Sequence, residues 1–284
     1  MELSLPPHFD GRNLLAFLRA RQVEPLEAVG PRSFARPLEW GGRCAVVRLG
    51  FSGRRLARVG AALPAGDRAD GAAAAVRRLL GADWDYPAFA AASARDPLLG
   101  PLVARFCWLA RPQLPDPYEA LIRAILEQQV SIKAAATLTR RLIERFGRRL
   151  PPPDDGFVAF PRPEDILAAG PGAVRGIGLT GAKVRAVIAA SEAAAAGTLD
   201  AGTLTDLPGV GPWSAGYVRM RALSDDDVFL EGDLGIRVAL GRLLGRDGPV
   251  PAREARDLAE RWAPWRTHAM IYLWHSLTAP GERA

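Results

Sequence analysis

Two short strings hold the residues whose types and spacing can do chemistry. The first, Leu207-Pro208-Gly209-Val210-Gly211-Pro212-Trp213, sets two glycines around Val210 and a proline after them. Glycine takes the dihedrals of a tight turn without steric cost. Pro212 has no N–H to lose, so it fits the first turn of a helix. Such a turn aims successive amides outward at a positive helix end, which suits a phosphate. The second string, Glu231-Gly232-Asp233, follows the acidic run Asp225-Asp226-Asp227 and the apolar segment Val228-Phe229-Leu230. It opens a helix-like stretch over 234–240, so Asp233 stands where a carboxylate stays ionised. An N-cap accounts for that position too, and the two roles are compatible.

Aromatic side chains form the other candidate group. Trp213 and Tyr217 are four residues apart, as are Met270 and Trp274, so each pair can share a helix face. Electron-rich rings attract a cationic heterocycle by roughly 0.5–2 kcal/mol, depending on desolvation. Packed interiors also use tryptophan, and Trp262 and Trp265 are read as structural. His268 and His275 are read as core or surface residues.

These groups need a frame. A short helix is expected over 13–19, strands over 34–40, 44–51 and 56–63, and a helix over 72–80. That is an α+β domain with an antiparallel sheet, spanning 1–112. Pro112, Pro115 and Pro117 mark a linker, and Asp116 followed by Pro117 is a helix start. Residues 113–284 read as mostly helical: 118–128, a helix capped by Ser131 and ended by Gly147, one capped by Thr180, and stretches over 258–262 and 267–277. A helix–hairpin–helix lies at about 203–220.

Composition narrows the setting. The 284 residues are 49% hydrophobic and 24% charged, ordinary for a globular protein. Cys44 and Cys107 cannot by themselves complete a four-cysteine iron–sulfur or zinc site, and two thiols cannot form a rich disulfide framework. The opening MELSLPPHFDGRN carries no secretory pattern, and no stretch approaches the roughly 20 apolar residues of a membrane span. A reduced intracellular compartment is expected. The net charge of +6 suits nucleic acid, yet the excess lies entirely in residues 1–112, with 16 basic and 10 acidic side chains. Residues 113–284 hold 21 of each, so DNA bound there must meet local surfaces and backbone donors.

Taken together, the hairpin 207–211, VFLEGDLGIR around Asp233, Leu126-Glu127-Gln128-Gln129-Val130-Ser131 and Glu260-Arg261-Trp262-Ala263-Pro264-Trp265-Arg266 resemble the helix–hairpin–helix DNA glycosylase superfamily. Within it the chain is similar to the bacterial 3-methyladenine-DNA glycosylase II type. The likeness reaches the first domain through Pro6-Pro7 and Ala35-Arg36-Pro37-Leu38. It implies two helical lobes with a cleft between them, and a monofunctional enzyme that hydrolyses the N-glycosidic bond of alkylated purines in double-stranded DNA. Asp233 would be the essential carboxylate. Phe17, Trp213, Tyr217, Leu234 and Trp274 would line the base pocket, and Gln129 would be the wedge inserted where the base leaves. Close relatives have an aliphatic residue at the wedge and an aromatic one at Leu234. Gly209, Val210 and Gly211 would hold a phosphate. The carbonyls of Thr205, Leu207 and Gly209 would hold a Na+ or K+ ion, with no organic cofactor and no iron–sulfur cluster. Members that also cut the strand carry a lysine where this chain has Trp213, which has no amine for a Schiff base. A monomer is expected. The alternatives are a glycosylase for deaminated or otherwise damaged bases, and a non-catalytic protein that binds damaged DNA.

Overall fold

In the antiparallel pairing of Ser33–Trp40 with Arg43–Ser52, Phe34 faces Leu49 and Arg36 faces Val47. Alternation along these strands turns Phe34, Leu38, Val47, Leu49 and Phe51 to one buried face. The computed structural model describes residues 2–3, 5–40, 43–53, 58–62 and 69–278. In chain order the strands of this domain are β1 (Glu2–Leu3), β2 (Ala28–Gly30), β3 (Ser33–Trp40), β4 (Arg43–Ser52) and β5 (Arg58–Ala62). They form one antiparallel sheet in the order β1-β5-β4-β3-β2. Residues 54–57 and 63–68, which include Leu56, Leu63 and Pro64 of the expected third strand, lie outside the described residues, as do Gly41 and Gly42.

Helices α1 (Gly11–Ala20) and α2 (Ala69–Leu80) match the expected ones and start earlier. Two more, α3 (Tyr86–Ser93) and α4 (Leu99–Phe106), precede the proline-rich linker. Beyond it come α5 (Pro117–Glu127) and α6 (Ile132–Phe146), a small hairpin of β6 (Arg148–Arg149) and β7 (Val158–Ala159), then α7 (Pro163–Gly176), kinked at Gly170, and α8 (Gly181–Ala195). The chain ends through α9 (Pro212–Ala222), α10 (Leu234–Leu243), α11 (Ala252–Ala259) and α12 (Arg266–Thr278). Asp116, Ser131 and Thr180 each accept a backbone N–H three residues on, as their sequence positions require. The expected helical stretch at 258–262 begins earlier, because α11 runs to Ala259 and a 3-10 turn covers Glu260–Trp262.

Among the described residues two large hydrophobic cores result, beside a small cluster of Val46, Leu150 and Ala159. One joins the sheet to Phe89 of α3, Leu99 of α4, Leu240 of α10, and Met270 and Tyr272 of α12. The other gathers Leu121, Ile125, Leu142, Val187 and Val218 from the helices α5–α9. Tyr217 packs against both, so it sits on the seam between the lobes.

A buried ring of charges ties the domains together across that architecture. Arg36 of β3 meets Glu119 of α5 at 2.7 Å and Glu27 at 3.3 Å, while Arg123 of α5 meets Glu27 at 2.9 Å and Glu119 at 2.8 Å. Burial alone pushes the Glu119 carboxyl up, but Arg36 and Arg123 outweigh it and hold the group below its usual range.

Candidate active site

Asp233 is the N-cap of α10, and its Oδ1 accepts the Ile236 backbone N–H at 2.9 Å. Two indoles converge on the same carboxylate. Trp274 Nε1 donates to Oδ1 at 3.0 Å, and Trp213 Nε1 donates to Oδ2 at 3.0 Å. A carboxylate offers about four lone-pair sites, so these three donors fix its orientation and leave one on Oδ2 for a substrate or water. Cap and candidate site are therefore the same side chain.

The helices bring these groups together by close approach. A side chain on Gly235 would place its Cβ 3.2 Å from Trp274 Cδ1 and 3.1 Å from Asp233 Oδ1, so glycine lets α12 seat its indole there. Met270, one turn before Trp274, is buried and accepts the Leu230 N–H at 3.1 Å, which makes it core beneath the segment leading to Asp233. The acids before that segment are held in turn: Asp225 by Arg219, Asp226 by Arg111 and His268, and Asp227 by Arg266. His268 is fully buried and stacked on Trp84; burial pushes its pKa down to about 4, so it is a neutral core residue.

Trp213 and Tyr217 stack with centroids 5.5 Å apart. Arg221 lies 5.9 Å from the Tyr217 ring and 5.4 Å from the Phe17 ring, and Arg21 lies 4.2 Å from Phe17. Phe17, Trp213, Tyr217, Asp233 and Trp274 thus form one connected group. Leu234, 62% exposed, stands beside Asp233 with its side chain in the open.

Gln129 is exposed at the tip between α5 and α6 and has φ of 54°, a conformation few non-glycine residues adopt. Sequence reasoning missed what holds it there. Gln128 Nε2 donates to the Gly209 carbonyl and to Ser214 Oγ, both at 2.9 Å. Lys183 of α8 donates to the carbonyls of Leu126 and Gln128 at 2.8 and 2.9 Å, satisfying the end of α5. The tip and the hairpin are one clamped unit.

In the hairpin, Gly209 is exposed at φ of 76° and α9 starts at Pro212 with no side-chain cap. Val210 departs from the outward-amide expectation. Its N–H donates to the Leu207 carbonyl at 3.1 Å and its side chain enters the second core. The turn itself consumes that donor, while Gly209 is exposed and Gly211 half-buried. Among the described residues no group of three or more His, Cys, Asp or Glu side chains has metal-binding geometry, and no helix is long and apolar enough to cross a membrane.

A hairpin that opens a helix, followed by a capping aspartate gripped by two indoles at a lobe seam, defines a helix–hairpin–helix base-excision fold. The chain belongs to the HhH-GPD superfamily of base excision DNA repair proteins, whose model matches residues 122–264; the AlkA N-terminal domain model matches residues 1–112. It is 32% identical over 287 residues to the DNA-3-methyladenine glycosylase 2 of Escherichia coli (strain K12), covering 96% of each chain. A 3-methyladenine DNA-glycosylase from Archaeoglobus fulgidus shares the fold with a TM-score of 0.84 at 23% identity, covering 96% of this chain and 97% of that one. The 3-methyladenine DNA glycosylase of Schizosaccharomyces pombe, solved with abasic DNA, has a TM-score of 0.57 at 26% identity, over 68% of this chain and 98% of that one.

Proposed function

We propose that the protein is a monofunctional glycosylase that releases alkylated purines such as 3-methyladenine from double-stranded DNA. The observation that carries this reading is the Asp233 carboxylate, gripped by Trp213, Trp274 and the Ile236 amide beside a row of aromatic rings. A base in a duplex must be extruded before its glycosidic bond is reachable. Gln129, on its clamped tip, fills the space left behind, and the turn at Gly209 and Gly211 anchors a backbone phosphate nearby. As the bond lengthens, positive charge develops on the sugar. A fixed carboxylate stabilises charge that exists only in the transition state, which raises the rate rather than merely tightening binding.

The rings of Phe17, Trp213, Tyr217 and Trp274, with Leu234 at the open side, select an alkylated, cationic base by stacking and cation–π attraction. Strand cutting needs an amine at the sugar. The position following the hairpin is Trp213, and Lys183 is committed to two carbonyls of α5. A monovalent cation fits the hairpin carbonyls of Thr205, Leu207 and Gly209. The Leu207 and Gly209 oxygens each accept one hydrogen bond, from Val210 and Gln128, and each keeps a second lone pair. The working unit is a monomer in the bacterial cytoplasm.

The test is a panel of duplexes carrying 3-methyladenine, 7-methylguanine, hypoxanthine, uracil or ethenoadenine, with free base measured directly and strand scission scored before and after alkali. Release of methylated purines, with breaks only after alkali, is the expected result. Tight binding without release of any base would replace this reading with that of a non-catalytic damage binder.

A further inference from the structure

Residues 113–284 are neutral as a whole, but their charges are not evenly spread. There is no acidic residue from Gln128 to Ile143, and none from Ile166 to Ser191. The first stretch is the α5–α6 tip with most of α6, and the second holds the turn between α7 and α8. Arg141 donates to the Ile177 carbonyl at 3.2 Å and Lys183 to the Gln128 carbonyl at 2.9 Å, so the two stretches are joined. Lys133, Arg140, Arg141, Arg175 and Arg185 are exposed along them and form no ion pair among the described residues. Within this uncompensated positive region lies an apolar point. Four large hydrophobic side chains are exposed among the described residues, and two of them, Val130 and Ile132, follow Gln129 within three positions. Ile132, 61% exposed, is the first residue of α6. A β-branched residue helps a helix less than alanine or a straight chain does, so the helix gives no reason for it there. Exposed apolar side chains are ordinary when scattered singly. Here two stand beside a residue held at φ of 54°, on a tip clamped by Lys183 and Gln128.

We propose that Ile132, with Val130 beside it, is a second and apolar wedge that enters the duplex next to Gln129. This rests on the reading of Gln129 as the residue that fills the vacated space. Glutamine can hydrogen-bond the orphaned base through its amide, but it offers little apolar surface to the stack. A branched aliphatic side chain does the complementary work. Inserted from the minor groove between neighbouring base pairs, it partly unstacks them and bends the helix. The uncompensated cations around Ile132 select a polyanion over an apolar protein surface, and they neutralise phosphates beside the bend. The hairpin, joined to the tip by the bond from Gln128 to the Gly209 carbonyl, grips the same duplex nearby.

Single-turnover release of 7-methylguanine tests this in the wild type, Ile132→Ser and Ile132→Leu, on two duplexes. In one the lesion faces cytosine; in the other it faces an abasic-site analogue, which removes the pairing that extrusion must break. Fluorescence of 2-aminopurine in the undamaged strand, next to the position facing the lesion, reads unstacking directly at saturating protein. Ile132→Ser should slow release from the paired duplex about tenfold, the scale set by burying one isoleucine side chain. Release from the unpaired duplex should stay close to wild type, which also reports that the variant is folded. The 2-aminopurine signal should remain near that of free DNA with Ile132→Ser, whereas Ile132→Leu should keep both rate and signal. An equal effect on the two duplexes, whether none or the same loss, overturns the proposal, as does a full 2-aminopurine signal with Ile132→Ser bound. Wild-type protein that releases base from neither duplex would overturn the pocket reading instead, and the fluorescence comparison would still decide the wedge.

Discussion

Trp274 and Asp233 are 41 residues apart in the chain and meet at 3.0 Å, indole N–H to carboxylate oxygen. The bond links α12 to the N-cap of α10, and Trp213 makes the matching bond from α9. Substitution of Asp233 therefore disturbs more than charge. Asp233→Asn replaces one acceptor oxygen with an amide that faces an indole donor. Base release should fall by at least about a hundredfold, the usual scale for losing one preorganised electrostatic group. Binding to lesion duplex in gel shift should persist. Equal release by mutant and wild type would remove Asp233 from the chemistry.

The two functions of Trp274 are separable. Trp274→Phe keeps an aromatic face and deletes the N–H that orients Oδ1, so turnover should drop about ten- to a hundredfold, in line with a lost hydrogen bond of about 1.5–3 kcal/mol to a charged group. Trp274→Ala removes the face too, and the preference for cationic over neutral bases should shrink with it. Competition between lesions in one reaction measures that preference; an identical preference in both variants contradicts the pocket assignment.

Lys183→Met should leave the fold intact and loosen the wedge. The carbonyls of Leu126 and Gln128 lose their ammonium donor, and the Gln129 tip loses the contact that fixes its unusual backbone. We expect weaker extrusion, read as reduced fluorescence of 2-aminopurine placed beside the lesion, and lesion affinity lowered by about 1–3 kcal/mol. Unaltered fluorescence and affinity would show that the tip needs no clamp.

Glu119→Ala leaves Arg36 and Arg123 buried with one carboxylate between them. Breaking a buried pair in this way costs about 3–5 kcal/mol, measurable as a fall in the urea midpoint. A midpoint within error of wild type would mean the ring is dispensable.

Stability should also depend on His268. Its folded pKa is depressed to about 4 from an ordinary 6.5, so the unfolded chain binds the proton first. The contribution is complete above pH 6.5 and is lost as pH falls toward 4, by about 3 kcal/mol in all. Asp226, whose carboxyl is also depressed, with burial opposed by the His268 bond and Arg111, adds a loss at still lower pH. His268→Gln should flatten the dependence between pH 6.5 and 4 in chemical unfolding; an equally steep curve would place the titration elsewhere.

Local chemistry was the legible part of the fold. Asp116, Ser131, Thr180 and Asp233 start helices because a short polar side chain reaches an amide three residues on, a signal confined to a few positions. Helices α3 and α4 were missed for an equally local reason. The first is a nearly uniform apolar string without a stripe, and the second holds Gly100 and Pro101, which read as breakers. Pro101 in fact lies in the first turn, where the Asp96 carboxylate accepts the N–H groups of Leu98 and Leu99.

The candidate site was legible residue by residue, and its convergence was not. Trp213, Tyr217, Asp233 and Trp274 stand out by type and spacing, yet nothing local says that two indoles meet one carboxylate. Gln128 and Lys183 act on backbone carbonyls, and no side-chain pattern announces that.

The core that unites the sheet with α4, α10 and α12 packs the first hundred residues against the last fifty. A fragment beginning after the prolines would carry Leu240, Met270 and Tyr272 with part of their packing gone, and that face of the core would be wetted. Trp274 rides on the same helix as Met270 and Tyr272, so deleting a sheet that bears none of the proposed chemistry would still unseat the indole that aims the aspartate.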